Sequence, residues 1–220
     1  MNDTLINTLL IALAYLVLFA SAEWMYHRWQ WKAEVTRKYV HIVTGVLTLL
    51  FPIMIHDFMA VILLCSAFAI ILVLSERWNL LPSINAVERK TRGSILYPVS
   101  VTTCYYCFSI RGELIYFYAP ILILAFCDPV AALLGKKWPK GAYRTFGKQK
   151  TLSGSVGFLL LASLLCYLLL TSMLEMSWQP AIGLSLVVGL VTAFAEAITH
   201  RGYDNLTIPL ANLAVFLVYF

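Results

Sequence analysis

Long apolar runs separated by short polar segments organise the chain from end to end. Most of these runs are long enough to cross a hydrocarbon core of about 30 Å as an α-helix. They lie at 5–22, 40–55, 58–74, 94–110, 114–134, 154–173, 181–198 and 206–220. The second and the last are short for this thickness, so we expect each to be tilted, re-entrant or packed inside the bundle. The pattern predicts an all-α polytopic bundle of about seven to eight transmembrane helices.

The composition is typical of an integral membrane protein. Of the 220 residues, 61% are hydrophobic and 12% are charged, and the mean hydropathy is +0.81. Such a chain has too little polar surface for a soluble domain. No basic residue precedes the first run, so we expect this run to remain as a helix and not to be cleaved as a signal. Residues 1–220 are predicted to form one membrane domain.

The basic residues lie almost entirely on one side of the predicted bundle. Of the 16 Lys and Arg residues, all but Arg111 fall in the segments 23–39, 75–93, 135–153 and 199–205. The positive-inside rule assigns this side to the cytoplasm and places the N-terminus outside. We predict that these four cytoplasmic segments carry the chemistry. For any single lysine, orientation of the bundle and contact with anionic lipid is an equally good explanation.

Acidic residues at the ends of the predicted helices come out on the same side. Asp128 ends the fifth run, Glu196 lies near the end of the seventh, and Asp204 and Asn205 open the eighth. A carboxylate at the rim of a membrane is costly unless it is paired or bound to a metal. We therefore predict these four residues as catalytic, with Asp128, Glu196 and Asp204 as Mg²⁺ ligands. The alternatives are a buried ion pair with a loop lysine and, for Asp204, a helix N-cap.

The loop between the fifth and sixth runs is basic and contains several glycines. A carboxylate beside many cations suits a magnesium-bound polyphosphate. The candidate phosphate-binding residues of this loop are Gly135, Lys148, Lys150, Ser153, Gly154 and Ser155. Ser153 is predicted to cap the next helix, whose free N–H groups would face an anion. The spacing from Gly141 to Lys148 does not match a Walker phosphate loop.

Two further segments supply candidates on the same face. Arg89 and Lys90 form a second cationic cluster that could bind phosphate, with Glu88 beside them. Lys38 and His41 stand at the start of the second run, where His41 could bond a substrate hydroxyl or bridge two helices. We assign Lys38, His41 and Glu88 to the substrate side. Nucleic acid is not a predicted partner, because topology explains the positive charge and the loops lack stacking aromatic residues.

Five segments in order resemble the CTP-dependent polyprenol kinases, a family that includes phytol, farnesol and dolichol kinases and a CTP-dependent diacylglycerol kinase. They are 37–45 (RKYVHIVTG), 88–98 (ERKTRGSILYP), 127–135 (CDPVAALLG), 150–158 (KTLSGSVGF) and 201–210 (RGYDNLTIPL). The pattern is also similar to that of CTP-using lipid cytidylyltransferases such as phosphatidate cytidylyltransferase. The resemblance departs at Ser153, where the family usually has a glutamate, so Glu196 or Asp204 would have to take that role.

The resemblance implies phosphoryl transfer from CTP, with Mg²⁺, to the hydroxyl of a membrane prenol such as phytol, geranylgeraniol, farnesol or dolichol. We expect the isoprenoid tail to lie between the helices of the fourth to seventh runs. A cytidylyltransferase that makes a CDP-lipid is the alternative enzyme, and a diacylglycerol kinase is a third possibility. A transporter is disfavoured because the acids lie on one face and not near the midplane. Neither the chain length of the lipid nor the oligomeric state is specified by the sequence.

Overall fold

The computed structural model describes residues 2–86, 92–146 and 148–220. The described residues form α1 (Asn2–Arg28), α2 (Ala33–Thr48), α3 (Phe51–Met54), α4 (Phe58–Trp78), α5 (Pro82–Asn85), α6 (Gly93–Arg111), α7 (Ile115–Leu122), a π-helical segment (Ile123–Cys127), α8 (Asp128–Lys137), β1 (Ala142–Thr145), β2 (Lys148–Thr151), α9 (Leu152–Met173), α10 (Trp178–Ile198) and α11 (Asp204–Tyr219).

The protein is an all-α integral membrane protein, as predicted, but it has fewer long spans than predicted. Within the described residues, five helices are long and apolar enough to cross a bilayer. They are Asp3–Arg28, Phe58–Trp78, Ile115–Lys137, Leu152–Met173 and Trp178–Ile198. The prediction of about seven to eight was therefore too high.

Each of the other predicted spans falls short for a physical reason. The second apolar run is divided between α2, whose first half is charged, and the four-residue helix α3, which begins next to Pro52. Helix α6 has 19 residues, but its Ser, Thr and Tyr side chains lower its hydropathy. Helix α11 has only 16 residues, which is less than a helix needs to cross the hydrocarbon core.

A short antiparallel hairpin was not predicted from the sequence. Strands β1 and β2 pair with Ala142 opposite Thr151 and Thr145 opposite Lys148. Gly141, with a φ of +63°, enters the hairpin in a conformation that suits glycine. The amide of Leu152 donates to the carbonyl of Gly141 at 3.0 Å and closes its base. Helix α9 therefore begins directly after strand β2.

The continuous helix Ile115–Lys137, which combines α7, the π-helical segment and α8, occupies the centre of the bundle. Its residues between Ile115 and Leu124 are almost all buried, and it contacts α2, α6, α9 and α11. Helix α2 approaches it so closely that a Cβ atom on Gly45 would lie 2.3 Å from the Cβ of Ala125. The central helix therefore carries its polar C-terminal part, which begins at Asp128, to a fixed position among its neighbours.

Candidate active site

A cavity of about 1160 Å³ opens between α1, α2, α4, α6, the central helix and the start of α11. One end is charged: among the described residues, six cations and five carboxylates line it. They are Lys32, Arg37, Lys38, Lys136, Lys150, Arg201, Glu34, Glu76, Asp128, Glu196 and Asp204. The other end is lined by aromatic and aliphatic side chains of α1, α3, α4 and α6. A single cavity thus offers a polyanion and an apolar chain adjoining places.

Most of the residues predicted from the sequence reach this cavity. Those that line it are Lys38, His41, Asp128, Gly135, Lys150, Gly154, Ser155, Glu196, Asp204 and Asn205. Ser153 is described but does not line it. The predictions for Glu88, Arg89 and Lys90, and for the side chain of Lys148, lie outside the described residues.

Asp128 is the first residue of α8 and follows the π-helical segment directly. Such segments are rare and are frequent at functional sites. Pro129 has no backbone N–H, so it cannot donate to the carbonyls one turn earlier in the helix. The Nε2 of His41 lies 3.2 Å from the carbonyl oxygen of Leu124, and against a carbonyl it must act as the donor. His41 therefore bridges α2 to the segment that positions Asp128, which is the second of the two roles considered for it.

Lys38 lies one turn before His41 on the same face of α2. Burial is the main cause that lowers the pKa of its ammonium group, and the nearby cation of Lys136 lowers it further, while the carboxylates of Glu34 and then of Asp128 oppose the shift. At the rim, Lys136 donates to Glu34, which lowers the pKa of that carboxyl group. The half-buried Lys38 is therefore a cation at the wall of the cavity whose charge is influenced by the Asp128 carboxylate.

Lys150 and Glu196 form a buried ion pair. The Nζ atom of Lys150 lies 2.5 Å from Oε1 of Glu196, and the side chains are only 6% and 9% exposed. The same ammonium group also donates to the backbone carbonyl of Glu196. This is the alternative that the sequence left open for Glu196. In this arrangement the two charges neutralise each other and tie β2 to the end of α10.

Gly135 in α8 and Gly154 at the start of α9 have packing roles. A Cβ atom on Gly135 would lie 2.6 Å from Oγ1 of Thr151, and one on Gly154 would lie 2.8 Å from the carbonyl of Ala131. Both glycines therefore let α8 approach the start of α9 closely, at the wall of the cavity.

Thr151, and not Ser153, caps α9, so the prediction of Ser153 as N-cap was wrong. Helix α9 begins at Leu152, directly after β2, and the amide of Gly154 donates to Oγ1 of Thr151 at 3.2 Å. Ser153 is already inside the first turn, where its hydroxyl donates to the carbonyl of Trp138. Ser155 shares a hydrogen bond of 2.6 Å with the hydroxyl of Tyr143 in the hairpin.

Asp204 and Asn205 form the first turn of α11. Oδ1 of Asp204 accepts from the amide of Asn205 at 3.1 Å. The side-chain nitrogen of Asn205 donates to the backbone carbonyl of Gly93 at 3.3 Å. The backbone carbonyl of Asn205 accepts from the hydroxyl of Ser100 at 2.6 Å. These contacts fasten the start of α11 to the start of α6 and hold Asp204 at the cavity.

With the donors that the described residues provide, a magnesium ion would need further ligands from a bound polyphosphate. Among the described residues, no three His, Cys, Asp or Glu side chains lie close enough to hold a metal ion by themselves. Mg²⁺ commonly binds one or two protein carboxylates and takes its other ligands from phosphates and water. Asp128 and Asp204 both line the cavity and provide carboxylates of this kind, and Glu196 forms an ion pair with Lys150.

A polar stripe on α2 was only partly recognised in the sequence. The polar cavity-lining residues of this helix are Glu34, Arg37, Lys38, His41, Thr44 and Thr48, and apart from the adjacent pair Arg37 and Lys38 they are three or four positions apart. This period marks one helix face that runs from the charged end into the membrane. Arg37 and Lys136 were not among the residues predicted for the site, although both line the cavity.

Comparison with known proteins gives the family. The phytol kinase of Synechocystis sp. is 32% identical over 185 residues, which cover 83% of this chain and 78% of that protein. The CTP-dependent diacylglycerol kinase 1 of Schizosaccharomyces pombe is 34% identical over 100 residues, 42% of this chain and 45% of that protein. The chain belongs to the CTP-dependent prenol and lipid kinase family. No family model matches it, and no solved structure matches it.

Membership of this kinase family confirms the resemblance drawn from the five sequence segments and favours a kinase over a cytidylyltransferase. In this kinase the apolar part of the cavity differs from the expectation. Its walls come from α1, α3, α4 and α6, through residues such as Tyr15, Phe51, Phe68 and Val101. The expected wall was the fourth to seventh runs. Helix α6, which is the fourth run, lines the apolar part as expected, whereas α9 and α10 contribute only polar or small residues at the charged end.

Proposed function

We propose that the protein transfers the γ-phosphoryl group of CTP to the hydroxyl group of a membrane prenol of the phytol, geranylgeraniol or farnesol type. The observation that supports this most strongly is the single cavity in which a charged end continues into an apolar end. A nucleotide triphosphate and a lipid alcohol need these two environments side by side. The kinase relatives support the same reaction class.

The triphosphate is proposed to lie at the charged end. Lys38, Arg37 and Arg201 line this end, and Lys38 lies close to Asp128. Lys and Arg groups hold phosphate oxygens through charge-assisted hydrogen bonds. Arg89, Lys90 and Lys148 remain candidates from the sequence for the same task, and Glu88 remains a candidate on the substrate side. Lys150 is proposed to act indirectly, because its charge is already taken up by Glu196.

Asp128 and Asp204 are the proposed magnesium ligands, with Asn205 as a neighbouring oxygen donor. When bound, Mg²⁺ would offset the negative charge of the phosphates during transfer. Binding of the donor and the acceptor in adjoining places supplies the remaining catalysis, since phosphoryl transfer depends chiefly on positioning and charge stabilisation.

The acceptor hydroxyl oxygen forms a bond to the γ-phosphorus, and the bond from that phosphorus to the bridging oxygen breaks, so that CDP leaves. The hydroxyl proton passes to a carboxylate, for which Asp204 is the better candidate because Glu196 is engaged by Lys150. The products are a prenyl monophosphate and CDP. We further propose that the charged end faces the cytoplasm, which follows from the positive-inside rule and places the N-terminus outside.

The test uses purified protein in detergent with Mg²⁺, prenols, diacylglycerol and phosphatidic acid, and CTP labelled at the α or the γ phosphate. Transfer of γ label to a prenol is the expected result. Transfer of γ label to diacylglycerol alone would mean that the acceptor is diacylglycerol and not a prenol. Transfer of α label to phosphatidic acid, with release of pyrophosphate, would make the protein a cytidylyltransferase and overturn the proposal. Parallel reactions with ATP test the choice of nucleotide.

A further inference from the structure

The inner end of the cavity is closed by aromatic side chains, and this closure bears on the length of the lipid that can enter. Tyr15 and Phe51 meet edge to face with ring centroids 6.3 Å apart. Tyr15 also packs on Phe68, with centroids 4.8 Å apart. Tyr15 is 5% and Phe51 is 2% exposed, although both line the cavity. Leu64 and Val101 complete this inner wall.

A hydrogen-bond network holds the inner wall in place. The hydroxyl of Thr48 donates to the carbonyl of Thr44 at 2.7 Å. Its oxygen also lies 2.6 Å from the hydroxyl of Tyr15 and 2.9 Å from that of Tyr97. The hydroxyl oxygen of Thr48 thus lies within hydrogen-bond distance of both tyrosine hydroxyls, and each of these hydroxyl groups can donate or accept. Three helices, α1, α2 and α6, are thereby joined at the inner end.

The depth of the cavity follows from the helix that runs along it. Lys38 lies at the charged end, and Thr48 lies ten positions further along α2 at the inner end. At the rise of an α-helix this separation is about 15 Å, or about half of the hydrocarbon core of a bilayer. The acyl chain of a membrane lipid spans one leaflet, which is half of the hydrocarbon core. The main chains of phytol and geranylgeraniol are about as long as such an acyl chain.

We infer that the inner wall formed by Tyr15, Phe51, Leu64 and Val101 limits the length of the acceptor alcohol. The inference rests on the proposed function and deepens it. With the hydroxyl group near Asp128, the tail runs along the apolar face of α4 and ends against this wall. Prenols up to the length of geranylgeraniol or phytol fit, whereas an acceptor of dolichol length does not.

The first variant fills the inner end. Val101 is 1% exposed and lines the cavity, so Val101→Phe places a ring where the end of the tail would lie. The measured quantity is kcat/KM for geranylgeraniol divided by kcat/KM for farnesol. We expect this ratio to fall by about tenfold or more, because groups that no longer fit a hydrophobic pocket lose discrimination of this size.

The second variant opens the inner end. Phe51→Ala removes one of the two closing rings, and Phe51→Leu is the milder change should the first fail to fold. The measured quantity is kcat/KM for geranylfarnesol divided by kcat/KM for geranylgeraniol. We expect this ratio to rise by about tenfold in Phe51→Ala and by less in Phe51→Leu. Phe216→Ala is the matched control: Phe216 is fully buried but does not line the cavity, so it leaves both ratios unchanged.

Thermal stabilisation of the purified protein by the same alcohols separates this inference from the proposed function. If the wild type transfers phosphate to no alcohol, the proposed function fails. The length limit is then supported if thermal stabilisation declines for alcohols longer than geranylgeraniol, and it is overturned if stabilisation does not decline. The inference is overturned if both variants leave the acceptor ratios within about twofold of the wild type. It is equally overturned if the wild type uses dolichol as well as it uses geranylgeraniol.

Discussion

Removal of either partner of the Lys150–Glu196 pair should destabilise the protein far more than removal of a charge at the surface. The two side chains are 6% and 9% exposed and lie 2.5 Å apart. Loss of one partner leaves the other charge buried without compensation, which costs about 3–5 kcal/mol. Lys150→Met and Glu196→Leu should each show a loss of this size.

The double variant distinguishes a paired role from two separate roles. With both charges removed, no buried charge is left without a partner, so the double variant should be more stable than either single variant. The coupling between the two changes is measured as a double-mutant cycle of unfolding free energies in one detergent. The matched control is Glu34 with Lys136, a pair whose side chains are 48% and 60% exposed. For this pair the coupling should be about 0.2–1 kcal/mol.

The reasoning would be refuted if Lys150→Met were as stable as the wild type while its KM for CTP rose strongly. That result would mean that Lys150 binds phosphate directly and does not depend on Glu196. A second refuting result is a double variant whose loss equals the sum of the two single losses.

Three further predictions concern the residues around Asp128. Asp128→Asn should lower kcat by about a hundredfold or more in γ-label transfer, because a charged oxygen ligand is lost; Asp3→Asn, at the exposed start of α1, should have no effect. His41→Ala should lower kcat about tenfold with little change in KM for CTP, and His41→Gln, which keeps a donor for Leu124, should recover part of it; equal activity of His41→Ala would contradict the positioning role. For Lys38, the lowered pKa means that its charge is lost at a lower pH than that of an ordinary lysine, so kcat/KM for CTP should fall early on the alkaline side. Lys38→Arg should move that fall to higher pH, and an unchanged profile would exclude Lys38 from phosphate binding.

Residues that stand at the end of an apolar run could be predicted from the sequence. Asp128, Glu196 and Asp204 were selected because a carboxylate at the membrane rim is costly, and all three line the cavity. The apolar runs also identified the chain correctly as an integral membrane protein, although they overestimated the number of long spans. Hydropathy alone could not show that α2 begins with a charged turn or that the second run is interrupted beside Pro52.

Contacts between distant segments could not be read from local patterns. Lys150 and Glu196 are far apart in the sequence, and only the packing of β2 on the end of α10 shows that their charges are paired. The cap on α9 depended on the unforeseen hairpin, which moved the start of the helix to Leu152 and made Thr151 the capping residue. The apolar wall from α1 and α4 likewise could not be predicted without the packing of the helices, because each of the long helices has apolar side chains that could line a cavity.

The most direct test of the central claim is the stoichiometry of the reaction, followed by phosphorus NMR with purified protein, CTP, Mg²⁺ and geranylgeraniol or phytol. The proposed function predicts that prenyl monophosphate and CDP appear in equal amounts and that both disappear in Asp128→Asn. Pyrophosphate with a CDP-lipid, or CDP without any phosphorylated lipid, would contradict it.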